Sequence, residues 1–165
     1  RDSSTSRGLG DVYKRQELEI HFMIIGNGGK KADLIKSVET RGLTNCTFLD
    51  WLPADKIVYS LSAANLSVVT LTDDTAFVSV PSKTYNILSV GSPILCVAPE
   101  KSEVGQLVKK EQCGKCYDKS HIKEMMNFIL QLKSDKEYYA EMVQNSLNAS
   151  THYTFANASE YVCYK

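Results

Sequence analysis

Five short apolar runs alternate along this chain with segments of helical period, and that alternation constrains the fold more than any other feature. The runs are IHFMIIG from Ile20, CTFLDWL from Cys46, LSVVTL from Leu66, PILCVA from Pro93 and the brief GKCYD from Gly114. Between them, KKADLIKSVETRG places Leu34, Ile35 and Val38 at helical spacing, with Gly42 past the end. ADKIVYSLSAA sets Ile57, Val58 and Leu61 on one face, PSKTYNILSVG is a loop feeding a helix, and SEVGQLVKKEQC turns Val104, Leu107 and Val108 inward. HIKEMMNFILQLKSD and KEYYAEMVQNSLNASTHY read as two closing helices. Strands joined through helices by short loops make a parallel sheet covered on both faces, an α/β fold of Rossmann-like type. Such sheets take their ligands beyond the carboxyl ends of the strands. Three loops leave those ends: GNGG after the first strand, DWLP after the second and TDDTAFVSVPSK after the third.

The remaining composition mainly excludes. No run approaches the roughly 18 apolar residues of a membrane span. Residues 1–16, RDSSTSRGLGDVYKRQ, are polar and patternless, and DVYKRQ is what a base sequence resembling a transposon-end sequencing adapter encodes. They are expected to be adapter read-through rather than evolved protein, leaving 17–165 as the domain. That stretch holds Arg1, Arg7, Lys14 and Arg15 against Asp2 and Asp11, so 15 basic residues face 17 acidic ones in the remainder. Nothing in that balance points to nucleic acid. Of the five cysteines, Cys46 and Cys96 lie in strand-like runs and read as small core hydrophobes. Cys113 and Cys116 have CxxC spacing, but the motif follows a helix instead of opening one and has no second ligand pair, so a structural role is expected. Gly114 reads as the C-cap of that helix. Asn45, Asn65, Asn148 and Asn157 match the glycosylation pattern, by chance in an Asn-rich chain without a secretory signal. His21, His121 and His152 have no partner at motif spacing.

Lys83 stands at the start of the TYNILSVG helix, behind Pro81 and Ser82. First-turn amides lack internal partners and the dipole there is positive, which favours an anion. Pro81 stiffens the entry, and Ser82 or Thr84 either caps the helix or bonds a phosphate oxygen. An ordinary capped helix with an exposed lysine fits equally well. Gly26, Asn27 and Gly28 form a turn that either admits a ligand close to the backbone or is simply tight. With Asp50 the glycines imitate a dinucleotide fingerprint, but Lys31 fills the third glycine position. Trp51, the single tryptophan, either walls a base or packs at the rim. Asp73 and Asp74 read as solvated loop residues.

In order, MIIGNGG, LTNCTFLDWLPADKIVYSLSAANLSVVTL and VPSKTYNILSVGSPILCVAPEKSEVGQLVKKEQCG resemble the C-terminal, nucleotide-sugar-binding domain of a GT-B glycosyltransferase. Members of the retaining family 4 group that assemble capsule, O-antigen and colanic acid are similar. The resemblance implies that Gly26, Asn27 and Gly28 face an interdomain cleft and that Trp51 and Leu52 lie near the nucleotide base. It implies that Pro81, Ser82, Lys83 and Thr84 hold the donor diphosphate, with Lys83 the catalytic charge. Asn86 stands where many members carry a ribose-binding glutamate, and Val78 replaces the other glutamate of that motif. The basic residues expected before IHFMIIG are absent. It further implies catalysis without a bound metal or other cofactor, a missing N-terminal acceptor domain, a lipid-linked acceptor, and a cytoplasmic site peripheral to the membrane. A stand-alone nucleotide- or dinucleotide-binding Rossmann module is the alternative, and a receiver-like domain is disfavoured by the lack of an acidic pair after the first strand.

Overall fold

The computed structural model describes residues 20–72, 74–77 and 80–154. Residues 1–16, Asp73, Val78 and Asn157, named above, lie outside them. The chain divides into two compact units, Arg1–Lys56 and Ile57–Lys165.

In the first unit β1 (Phe22–Ile25) and β2 (Cys46–Leu49) pair in parallel, Phe22 opposite Cys46 and Ile25 opposite Leu49. Helix α1 (Lys31–Thr40) connects them. None of its residues is fully buried: Ile35 and Val38 are half-buried, while Leu34 is exposed. Helix α2 (Ala54–Ser62) crosses the boundary between the units. The expected face of α2 is narrower than its sequence suggests, because Val58 is exposed and only Ile57 and Leu61, one helical turn apart, are half-buried.

The second unit holds β3 (Ser67–Thr70), β4 (Ile94–Val97) and β5 (Gly114–Tyr117), all parallel, with β4 central. Around them lie α3 (Ser82–Ser89), α4 (Glu103–Glu111), α5 (Ile122–Ser134) and α6 (Lys136–His152). Successive β4 side chains enter opposite faces, as strand geometry requires. Ile94 and Cys96 join Val69, Ile87, Leu88, Val104, Leu107, Val108 and Ala149 in one core. Leu95 joins Phe128, Leu132 and Met142 in a second. A strand buried on both faces accounts for the unbroken apolar run PILCVA.

Caps fix the helix ends. The Ser102 hydroxyl accepts from the Gly105 N–H at 3.2 Å and the Asp135 carboxylate from the Tyr138 N–H at 2.9 Å. Gly114 is not the C-cap of α4. Gln112 takes that position in the left-handed conformation, at φ 51°, and Gly114 instead opens β5. A β-carbon on Gly114 would run into the Ile94 backbone, so the glycine serves close strand approach.

Candidate functional site

The expected site residues fall into two groups, one in each unit. In the first unit, β1 ends at Gly26, whose N–H donates to the Leu49 carbonyl at 3.1 Å. The φ of Gly26 is +136°, a conformation L side chains rarely adopt, and a β-carbon there would lie 3.7 Å from the Trp51 ring. Gly26 and Trp51 are thus brought together, with the indole 74% exposed beside the glycine. Gly28 is exposed with open space around its Cα, and Leu52 is half-buried. Asn27 is exposed and accepts from the Lys31 ammonium at 3.0 Å.

Lys31, read from the sequence only as the residue that breaks the glycine fingerprint, has a role there that the sequence did not show. Its Nζ also donates to the Leu49 carbonyl at 3.1 Å and to Asp50 Oδ1 at 2.7 Å. The lysine that breaks the glycine fingerprint therefore ties the GNGG turn to the end of β2. An Asn four residues before a Lys was the only local hint, since Asp50 lies nineteen residues away.

In the second unit, Pro81 is the N-cap of α3 and offers no side-chain cap. Neither Ser82 nor Thr84 caps the helix, which corrects one of the two roles expected of them. Ser82 is the first helical residue and is exposed, whereas Thr84 is fully buried. The Thr84 N–H donates to the Pro81 carbonyl at 2.9 Å, but among the described residues its Oγ1 has no hydrogen-bond partner. The N–H groups of Ser82 and Lys83 and the Lys83 ammonium likewise have no partner among the described residues. Lys83 and Asn86 are exposed. At the entrance of α3 two amides and a cation therefore have no partner among the described residues, the arrangement that suits an anion.

Behind this entrance, the Tyr85 ring lies 5.2 Å from that of Tyr153, at the end of α6. The Tyr153 hydroxyl donates to Glu111 Oε1 at 3.1 Å, Lys110 pairs with the same oxygen at 3.2 Å, and His152 Nδ1 lies 3.3 Å from Oε2. Cys96 and Cys116 face each other in register across β4 and β5. Cys113 is buried, as a structural role requires, and the four described cysteines are all unbridged. Among the described residues no three His, Cys, Asp or Glu side chains are placed to hold a metal ion.

An α/β architecture with an open lysine-tipped helix entrance leaves several families in contention, and comparison with known proteins decides between them. The profile of the family described as "Glycosyl transferases group 1" matches residues 9–149. The chain belongs to that family. This group 1 chain is also 36% identical over 86 residues to an Escherichia coli K12 protein described as a colanic acid biosynthesis glycosyl transferase, WcaI. The aligned stretch is 52% of this chain and 21% of that protein, so the chain spans about a fifth of the length of the relative it matches. No described helix is long and apolar enough to cross a membrane.

Proposed function

We propose that this chain carries the donor-binding part of an enzyme that transfers a sugar from a nucleotide diphosphate to a glycan or lipid-linked acceptor. The observation that carries the reading is the α3 entrance, where the amides of Ser82 and Lys83 and the Lys83 ammonium share one helix end and have no partner among the described residues. Transfer breaks the bond between the anomeric carbon and the β-phosphate oxygen. The electron pair stays on that oxygen, and the acceptor hydroxyl oxygen bonds to carbon as its proton passes to the departing diphosphate. Charge therefore grows on the diphosphate as the bond breaks, and donors aimed at it lower the barrier. Lys83 would supply a charge-assisted hydrogen bond worth about 1.5–3 kcal/mol. Trp51 beside Gly26 offers a flat apolar surface suited to a base, and Asn86 a weaker ribose partner than a glutamate.

Family membership supports a sugar donor and an acceptor as substrates. The name of the E. coli relative supports surface-polysaccharide assembly as the setting. Reaction without a metal, a separate acceptor-binding domain and work at the cytoplasmic membrane face belong to the same proposal.

Calorimetry with UDP, GDP and ADP set against NAD and NADP tests it. The expected result is saturable binding of one nucleoside diphosphate, no comparable binding of the dinucleotides, and loss of roughly tenfold or more affinity in Lys83→Ala. Undiminished affinity in that variant removes Lys83 from the site, and preference for a dinucleotide overturns the reading.

A further inference from the structure

We infer that Lys31 is a positioning residue that holds the Gly26–Gly28 turn and the Trp51 segment in their nucleotide-binding arrangement. The inference rests on the reading of those residues as donor contacts and adds a role for a side chain that reading leaves out.

The three donors of an ammonium are matched here by three acceptors: Asn27 Oδ1 at 3.0 Å, the Leu49 carbonyl at 3.1 Å and Asp50 Oδ1 at 2.7 Å. The acceptors come from the turn after β1, the last residue of β2 and the residue after it. One side chain from the first position of α1 thereby gathers both strand exits of this unit. Trp51 follows Asp50 directly and its ring lies beside Gly26, so the indole, though 74% exposed, is tied to the lysine's partners through its own backbone and sits next to the turn.

The lysine is not free to act on a phosphate itself. Its side chain is 21% exposed, its hydrogen-bonding capacity is filled, and Asp50 offsets its charge. Asp50, by contrast, is 85% exposed. A surface ion pair of this kind adds little to global stability. Its value lies in geometry, since displaced binding groups cost affinity even when the fold is intact.

The two possible roles predict opposite signs for Asp50→Ala. If Lys31 positions, removing its anchor loosens the turn and weakens nucleotide binding. If Lys31 is itself a phosphate ligand, removing its counter-charge frees it and tightens binding. The single tryptophan reports directly. Trp51 emission is titrated with UDP, GDP and ADP in the whole chain, in Lys31→Met and in Asp50→Ala. Steady-state Trp51 anisotropy is recorded without ligand, and far-UV circular dichroism checks the fold. Expected are unchanged circular dichroism, lower anisotropy in both variants, and affinity lowered by about tenfold in Lys31→Met and in the same direction in Asp50→Ala. Tighter binding by Asp50→Ala, or unchanged anisotropy and affinity in both variants, overturns the inference. A wild-type chain whose Trp51 emission ignores all three diphosphates overturns the functional reading instead, and the anisotropy arm then still decides whether Lys31 holds the segment.

Discussion

The ring of Tyr153 lies 5.2 Å from that of Tyr85, tilted by 43°. The last turn of the closing helix is thereby set against the first turn of α3, on the far side of the sequence from it. The Tyr153 hydroxyl donates to Glu111, the last residue of α4. One aromatic residue thus fastens α6 to two helices of the core, and α3 is one of them.

Tyr153→Ala is expected to destabilise the second unit by about 2–4 kcal/mol, from the lost aromatic pair and the lost hydrogen bond to a carboxylate. Tyr153→Phe keeps the ring and loses only the hydroxyl, so it should cost clearly less. Thermal melts of the two variants beside wild type give the order. Equal stability of Tyr153→Phe and wild type would show that the bond to Glu111 contributes nothing.

The same contact sets a pH dependence. Burial alone would raise the Glu111 carboxyl, but hydrogen bonds from Lys110 and Tyr153 outweigh it and hold the group below its ordinary value. A carboxyl depressed in the fold contributes stability that is present above its unfolded pKa and is lost as pH falls through the folded one. Burial, followed by the hydrogen bond to Glu111, pushes the Tyr153 phenol up to about 12. Its contribution is complete below the unfolded value, about 10, and disappears as pH rises toward the folded value. Urea midpoints of Glu111→Gln should therefore fall less than those of wild type between about pH 5 and pH 3. Parallel acid limbs in the two proteins would exclude Glu111 as a contributor.

The architecture was readable because its signals are local. Val104, Leu107 and Val108 recur at helical spacing and all three are buried. The apolar run around β4 reads as a buried strand because neither of its faces meets water. What the sequence hid depends on contacts between distant positions. Lys31 looks like a misplaced fingerprint residue until its distance to Asp50 is known. Gly114 looks like a helix cap until Ile94 is seen beside it. Lys83 and Ser82 are exposed as an anion site requires, yet Thr84, the next residue, turns fully inward. Which of three neighbouring polar residues is buried follows from the phase of α3, and a shift of one residue would reassign them.

Thiol chemistry should distinguish three cysteines that composition cannot. The Cys96 thiol, its partner in register, holds the Cys116 thiol below its ordinary value, and the same pairing, with burial, drives Cys96 well above it. Burial pushes Cys113 up to about 12. The thiolate is the reactive form, so iodoacetamide at about pH 8 should label Cys116 first and leave Cys96 and Cys113 until the chain unfolds. Cys96→Ala removes that neighbouring thiol and should slow labelling of Cys116. Peptide mass spectrometry over a time course reads the order, and early labelling of Cys96 or Cys113 would contradict it.

Thr84→Val separates folding from binding at the α3 entrance. Threonine and valine have nearly the same shape, but Thr84 buries a hydroxyl oxygen that has no partner among the described residues. A buried polar group left unpaired costs about 1–3 kcal/mol, so valine should raise the melting temperature by a few degrees. Sites that bind charged ligands commonly keep such unpaired groups at the expense of stability. If the hydroxyl serves the bound diphosphate, the stabilised variant should bind UDP or GDP more weakly than wild type. A variant that melts higher and binds equally well would confine Thr84 to packing. One that melts lower would show that the hydroxyl is paired in the free protein, and the proposed anion site would then rest on Ser82, Lys83 and their amides alone.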